Sequence, residues 1–332
     1  MRLLFATSGA AHTAPLIPFA HAARRAGHQV LMAGEDAVAP LAAEAGLRFW
    51  PVAGQSARAA LPGMATAIRE WYPDVVVRDS GEFASLVAAE RFGIPSAQLE
   101  LALAAEMLDR PALHDLRAAA GVRFASRARE LRLTLAPASL DVPATSRAVH
   151  RFRDPASAWA PPLWGTWGDS QAPLLVLGFD GESYPALHRE ALAALVALPL
   201  RVLVITGGGA PASLGTLPPA VRAERWVPQA AALRDAAVMV SHGDAGSTLA
   251  ALAAGVPTAF VDRSFNARRV AELGAGIALD DVAGLGEAVL RLLGEPSFAA
   301  RARQVRDEIQ ALPPVDTAIE LLAQLADARQ AA

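Results

Sequence analysis

Short runs of consecutive apolar residues alternate along the chain with longer stretches in which apolar positions recur every three to four residues. A run that is apolar on both faces fits a parallel strand covered on each side, and the longer stretches fit the helices that cover it. Residues 1–7 make the first such run, with Leu3, Leu4 and Phe5 at its centre. A small-residue loop at 8–14, a helix at 15–26 stopped by Gly27, and a strand at 29–33 complete a βαβ unit. The alternation continues through a helix at 37–46, strands at 48–52 and 73–79, a helix at 80–92, and Gly93-Ile94-Pro95 leading into another strand. Residues from about 103 to 143 are rich in Ala, Leu and Arg with a helical period, and Leu108, Leu113 and Leu116 offer a buried stripe.

Residues 151–172, RFRDPASAWAPPLWGTWGDSQA, have no period and are rich in Pro, Trp and Gly, as a linker would be. Trp159, Trp164 and Trp167 in that segment suit packing against domain faces better than ligand binding. The pattern then starts again: a strand at 173–179, a helix through 181–198, a strand at 201–206, a strand at 238–240, a helix at 247–254, and helices at 284–293 and 316–328. The predicted fold class is α/β, with two Rossmann-like β/α/β domains: an N-terminal one over 1–158, a linker over 159–172 and a C-terminal one over 173–332. A chain of 332 residues suffices for two such cores.

Composition narrows the function. Charged residues are 19% of the chain, the net charge is −3 and the arginines are scattered, which argues against a dedicated nucleic-acid binder. The absence of cysteine excludes disulfides and thiolate metal sites. There is no signal-peptide pattern and no apolar run long enough for a bilayer, so a soluble cytoplasmic protein with no membrane partner is expected.

Candidate chemistry falls at the carboxyl ends of strands, where open parallel sheets bind ligands. His12 lies in the loop SGAAHTAP after the first strand, and Asp79 ends the strand PDVVVRD. Taken singly, the histidine could be bonded to backbone and the aspartate could cap a helix. Together on adjacent sheet ends they point to a dyad. In the second half, VMVSHGDAGSTLAALAAGVP (238–257) reads as strand, turn and helix. Gly243, Ala245 and Gly246 let backbone approach a ligand, while Ser247 and Thr248 can cap the helix and offer hydroxyls. The helix start suits a phosphate, with His242 at its mouth, although such turns also serve geometry alone. Just upstream, Trp226 can stack on a base and Gln229 can bond its edge or a ribose; the alternative is a core Trp beside an exposed Gln.

Three stretches, RWVPQAAAL (225–233), the turn at 241–248 and NARRVAELGAG (266–276), resemble in order and spacing the donor half of the GT-B glycosyltransferases of family 1, especially those that decorate bacterial natural products. The first half is similar too, in the His-x-x-Pro spacing of His12 and Pro15 and in the strand ending in Asp79 before a helix and Gly-Ile-Pro. The resemblance implies two Rossmann-like domains facing across a cleft, with the final helix packing back towards the first. It implies inverting transfer of a sugar from a TDP- or UDP-sugar co-substrate to a small-molecule natural-product acceptor. His12 would be the general base, oriented by Asp79. Trp226 and Gln229 would hold base and ribose; His242, Gly243, Gly246, Ser247 and Thr248 the diphosphate; Asp262 and Arg263 the sugar. No metal or other cofactor is obligatory in that family, and a homodimer or an auxiliary protein is an admissible partner.

Three positions depart from the family pattern. Asp244 replaces the second glycine of the phosphate loop, and Asp180 stands where a hydroxyl residue is usual. A carboxylate close to a diphosphate repels it by about 1 kcal/mol per charge pair in water. The sugar loop, TAFVDRSF (258–265), is about four residues short, with Asp262-Arg263 in place of Asp-Gln. Two functional classes therefore stand open. One is an active transferase, with a metal or Arg263 offsetting the acidic groups. The other is a glycosyltransferase-like protein that has lost sugar transfer and serves as an auxiliary partner or uses His12 and Asp79 on another substrate. A sugar epimerase of the same fold is the third and weakest reading.

Overall fold

The computed structural model describes residues 1–332 apart from 55, 101–109, 123–129, 141–148, 155–162, 164, 180–184, 208 and 331–332. The chain divides into two compact units, the first of Met1–Ala136, Val142–Asp154 and Leu312–Ala332, the second of Pro137–Asp141 and Pro155–Ala311.

Among the described residues, the first unit is built on a seven-stranded sheet, every pairing parallel. Its strands are β1 (Arg2–Ala6), β2 (Gln29–Gly34), β3 (Arg48–Pro51), β4 (Val75–Asp79), β5 (Ser96–Glu100), β6 (Leu131–Thr134) and β7 (His150–Arg151). The strand order is β3-β2-β1-β4-β5-β6-β7, so the direction of winding reverses between β1 and β4. Leu3, Leu4, Phe5 and Val75 to Val77 are fully buried, as the unbroken apolar runs require of strands covered on both faces. The covering helices are α1 (Ala10–Thr13), α2 (Ile17–Arg25), α3 (Ala39–Glu44), α4 (Ala57–Trp71), α5 (Phe83–Phe92) and α6 (Arg110–Ala119). Leu61, Met64 and Ile68 of α4 pack with Val87 of α5 onto Leu4, Leu31 and Val76. Each such side chain contributes about 1.5–3 kcal/mol when fully buried.

The second unit repeats the plan with six parallel strands among the described residues: β8 (Leu174–Gly178), β9 (Arg201–Ile205), β10 (Val221–Glu224), β11 (Ala236–Ser241), β12 (Thr258–Phe260) and β13 (Gly276–Ala278). The order β10-β9-β8-β11-β12-β13 places its reversal between β8 and β11. Alternate residues serve opposite faces. Leu175 and Leu177 pack with α7 (Pro185–Leu195) and α11 (Leu285–Gly294), whereas Leu174 and Val176 pack with α8 (Gln229–Leu233) and α9 (Ala245–Ala254). The remaining helices are α10 (Phe265–Glu272), α12 (Pro296–Ala311) and α13 (Ala318–Gln330). The last of these belongs to the first unit: Arg153 N donates to Pro313 O and Val315 N to Arg153 O, and Arg25 pairs with Asp316 at 2.7 Å.

Several elements differ from the sequence pattern. The expected loop at 8–14 turns helical from Ala10, which puts His12 on a helical turn. Helix α4 escaped the pattern because Pro62 and Gly63 interrupt it; the missing Pro N–H is tolerated, and Ser56 caps the start by accepting from Ala59 N at 3.3 Å. Strand β6 lies inside the stretch expected to be helical, its Leu133 fully buried. Strand β7 takes in Arg151, the first residue of the aperiodic stretch at 151–172, while β10 and α12 fill stretches with no predicted element. Leu108, Trp159 and Trp164 lie outside the described residues.

Candidate active site

Both groups of candidate residues sit at the carboxyl ends of the strands that flank a reversal of winding, where open α/β sheets leave a crevice. In the first unit these are the ends of β1 and β4. Thr7 and Thr13 hydroxyls both donate to Gly9 O, at 2.9 and 3.0 Å, and fix the turn that carries His12. The His12 side chain is 43% exposed, while that of Asp79 is 0% exposed.

Asp79 does not cap α5. That role falls to Glu82, whose oxygens accept from Ala84 N at 3.2 Å and Ser85 N at 2.7 Å. Burial pushes the Glu82 carboxyl above its usual range, against the hydrogen bonds from Ser85. Asp79 instead accepts from Ser8 N at 2.6 Å, from Gly81 N at 2.7 Å, and from Ser8 Oγ at 3.0 Å on each oxygen. His12 Nδ1 is 3.9 Å from the nearer Asp79 oxygen, too far for a direct hydrogen bond. The Ser8 hydroxyl bridges the gap, 2.6 Å from Nδ1. The expected dyad is thus a cluster of three, and the hydroxyl had no signal in the sequence beyond its place after a strand.

Arg78 likewise has no signal in the sequence pattern. Its side chain is on the opposite face of β4 from that of Asp79 and is 1% exposed. It donates to Glu130 at 2.8 and 3.0 Å, to Gln98, and to the carbonyls of Asp79 and Glu82 at 3.1 and 3.3 Å. A buried guanidinium with this many partners holds the turn after β4 from behind.

In the second unit the turn between β11 and α9 is held from both sides. Ser241 Oγ accepts from Gly243 N at 3.1 Å and is 2.8 Å from Ser247 Oγ. Gly243 has φ of +89°, and a Cβ there would lie 2.2 Å from Ser264 Oγ, so only glycine fits. Its carbonyl accepts from Asn266 Nδ2 at 2.9 Å, which ties the turn to the first residues of α10.

The expected cap is corrected here: α9 is capped by Asp244, not by Ser247 or Thr248. The Asp244 carboxylate accepts from Ser247 N at 2.8 Å and from the Ser247 hydroxyl, and lies 3.5 Å from His242 Nε2. A short acidic side chain three residues ahead of a helical N–H is a favoured cap. Both Ser247 donors are therefore engaged within the turn. The Thr248 hydroxyl is buried and has no hydrogen-bond partner among the described residues.

Val227 anchors the upstream segment in the core, and Trp226 stands 58% exposed beside it, which removes the core-tryptophan alternative. Gln229 is also exposed, at the first position of α8. Asp262 and Arg263 are exposed, and Arg263 pairs with Asp280 at 2.6 Å. Asp180 lies outside the described residues. Among the described residues no group of three or more His, Asp or Glu side chains converges as a metal site would require, and no helix is long and apolar enough to cross a membrane.

Residues 189–325 match the family described as the erythromycin biosynthesis protein CIII-like, C-terminal domain. The elloramycin glycosyltransferase of Streptomyces olivaceus is 43% identical over 149 residues, 41% of this chain but only 38% of that relative's length. The L-demethylnoviosyl transferase of Streptomyces niveus is 29% identical over 92% of this chain and 93% of its own. Among solved structures, the spinosyn rhamnosyltransferase SpnG complexed with thymidine diphosphate has the same fold, with a TM-score of 0.83 at 22% identity over 97% of this chain and all of that one. With the two parallel sheets and the loops at their switch points, the chain is similar, in sequence most strongly over its second half and in fold over nearly its whole length, to the GT-B glycosyltransferases of family 1 that include Streptomyces natural-product enzymes.

Proposed function

We propose that the chain is an active inverting glycosyltransferase that moves a sugar from a TDP-sugar to a hydroxyl of a small natural-product acceptor. The half-exposed His12 imidazole backed by the wholly buried, triply bonded Asp79 carries this reading. Leaving a carboxylate out of water is costly unless its oxygens are satisfied, and here they are satisfied beside an accessible base. In the proposed step His12 Nε2 takes the acceptor proton as the acceptor oxygen bonds to the anomeric carbon. The bond from that carbon to the diphosphate breaks on the opposite side, and the diphosphate leaves with the electron pair. A positioned base of this kind contributes about two to four orders of magnitude.

The diphosphate would meet the first turn of α9, through backbone N–H groups of Ala245 and Gly246 and the Thr248 hydroxyl. Trp226 and Gln229 would take the base and ribose, with the 1–158 part on the acceptor side and 173–332 on the donor side. TDP as donor nucleotide is supported by the complex of SpnG, and natural-product acceptors by the names of the relatives.

A second reading, a partner protein that has lost transfer, draws on Asp244, which occupies both donors of Ser247. Titration calorimetry with TDP and UDP, with and without magnesium, separates the two. The transferase reading expects TDP binding that is indifferent to magnesium. Binding of neither nucleotide overturns it in favour of the partner reading, and binding that requires magnesium overturns the metal-free site.

A further inference from the structure

General-base action needs one nitrogen of His12 held and the other left with its lone pair, and Asp79 is too distant to hold it directly. We propose that Ser8 is the positioning residue that sets the His12 tautomer on behalf of Asp79, an inference that rests on the general-base reading above. A count of protons assigns the roles. The ionised Asp79 carboxylate can only accept, and the Ser8 hydroxyl, 3.0 Å from both its oxygens, has a single proton to give. With that proton on Asp79, the Ser8 oxygen facing Nδ1 at 2.6 Å can only accept, so Nδ1 carries the hydrogen and Nε2 keeps its lone pair. The reverse assignment would set two acceptor oxygens against each other at 3.0 Å beside a buried carboxylate, with no proton between them.

The frame makes the assignment rigid. Ser8 N and Gly81 N each hold one oxygen of Asp79, at 2.6 and 2.7 Å, which stops the carboxylate from rotating. Ser8 sits four residues before His12, just ahead of the turn that Thr7 and Thr13 fasten to Gly9 O. When His12 takes up the acceptor proton at Nε2, the chain from Nδ1 through Ser8 to Asp79 spreads the positive charge towards a fixed anion. A directly bonded carboxylate performs the same task in hydrolytic triads; here the hydroxyl extends its reach.

The test is nitrogen-15 NMR on the full chain labelled at histidine, with His12→Ala for assignment. Above the titration range, His12 in the parent protein should show the hydrogen on Nδ1. Ser8→Ala should move it towards the Nε2–H form that imidazole prefers in water, and Ser8→Thr should restore the parent pattern. With a TDP-sugar and an accepted aglycone, Ser8→Ala should lower kcat by about 10- to 100-fold and leave TDP affinity unchanged; unchanged TDP binding and unmoved signals from the other histidines show that the variant folds. An Nε2–H tautomer in the parent protein, or a tautomer indifferent to Ser8→Ala, overturns the inference. Full turnover in His12→Ala would instead remove the general-base reading, whatever the tautomer measurement returned.

Discussion

The loops that follow β1 and β4 in the first unit and β11 in the second contain the same three kinds of side chain, an aspartate, a serine and a histidine, in different order. In the first, Asp79 is out of solvent and receives Ser8 N, Ser8 Oγ and Gly81 N, leaving the imidazole outward. In the second, Asp244 is 29% exposed and receives the N–H and hydroxyl of Ser247, at a helix start that would otherwise offer both to an anion. One carboxylate serves a side chain that can take a proton, and the other serves the backbone of a helix. What an aspartate beside a histidine does is decided by where its lone pairs are spent.

The sharpest way to break this contrast is to remove the proposed base. His12→Ala should lower turnover by about two to four orders of magnitude with TDP binding intact, and Asp79→Asn should follow it closely, since an amide would present an N–H where the carboxylate only accepts. Turnover that survives His12→Ala would make the first loop a structural turn only. Next in size is Trp226→Ala. An exposed indole that stacks on a base contributes about 1–3 kcal/mol, so TDP affinity should fall by roughly 5- to 160-fold in calorimetry while His12 signals stay in place. An unchanged affinity would mean that the exposed indole meets something other than the nucleotide.

Asp244→Gly tests the second loop from the opposite direction. It removes a helix cap, at a cost in stability of a few tenths of a kcal/mol because glycine is itself tolerated there, but frees Ser247 N and its hydroxyl. It also removes a negative charge from the place proposed for a diphosphate. Losing one close repulsion of about 1 kcal/mol corresponds to roughly fivefold tighter TDP binding. Weaker binding would show that Asp244 organises the site for nucleotide.

How much of this was legible depended on whether the signal was periodic. The strands that carry His12 and Asp79 were plain because Leu3 to Phe5 and Val75 to Val77 are unbroken apolar runs, and a residue at the end of such a run is placed at the sheet edge. Trp226 and Gln229 were placed by motif. Ser8 was illegible because a hydroxyl in a loop has no period, and its partner is 71 residues away. Asp244 was read as a charge opposed to phosphate, although an aspartate three residues before Ser247 is also a cap signal. Helix α4 was hidden by Pro62, and β6 by its shortness within an alanine-rich stretch. Helix α12 buries Ala302, Val305 and Ile309 at helical spacing, a period the sequence carries.

The smallest expected effect concerns the other capping carboxylate, Glu82, beside Asp79. Its burial raises the carboxyl above the usual range, so the folded chain holds that proton more tightly than the unfolded chain, in which it leaves near pH 4.3. Between the unfolded and the raised folded value the native state binds more protons, and stability therefore falls as pH rises through that interval and is level beyond it. Glu82→Gln keeps one oxygen, enough for Ser85 N but not also for Ala84 N, and cannot ionise, so its lost bond lowers stability equally at every pH. The urea midpoint of the parent chain, taken relative to that of the variant, should thus decline from about pH 4 upward. Because Ser85 N and Ala84 N both donate to this side chain, the decline should be accompanied by growing amide exchange at the start of α5. A relative midpoint that is flat or rising would mean that Glu82 ionises as freely in the folded loop as in water, and the first region would lose the dry surroundings that distinguish it from the Asp244 turn.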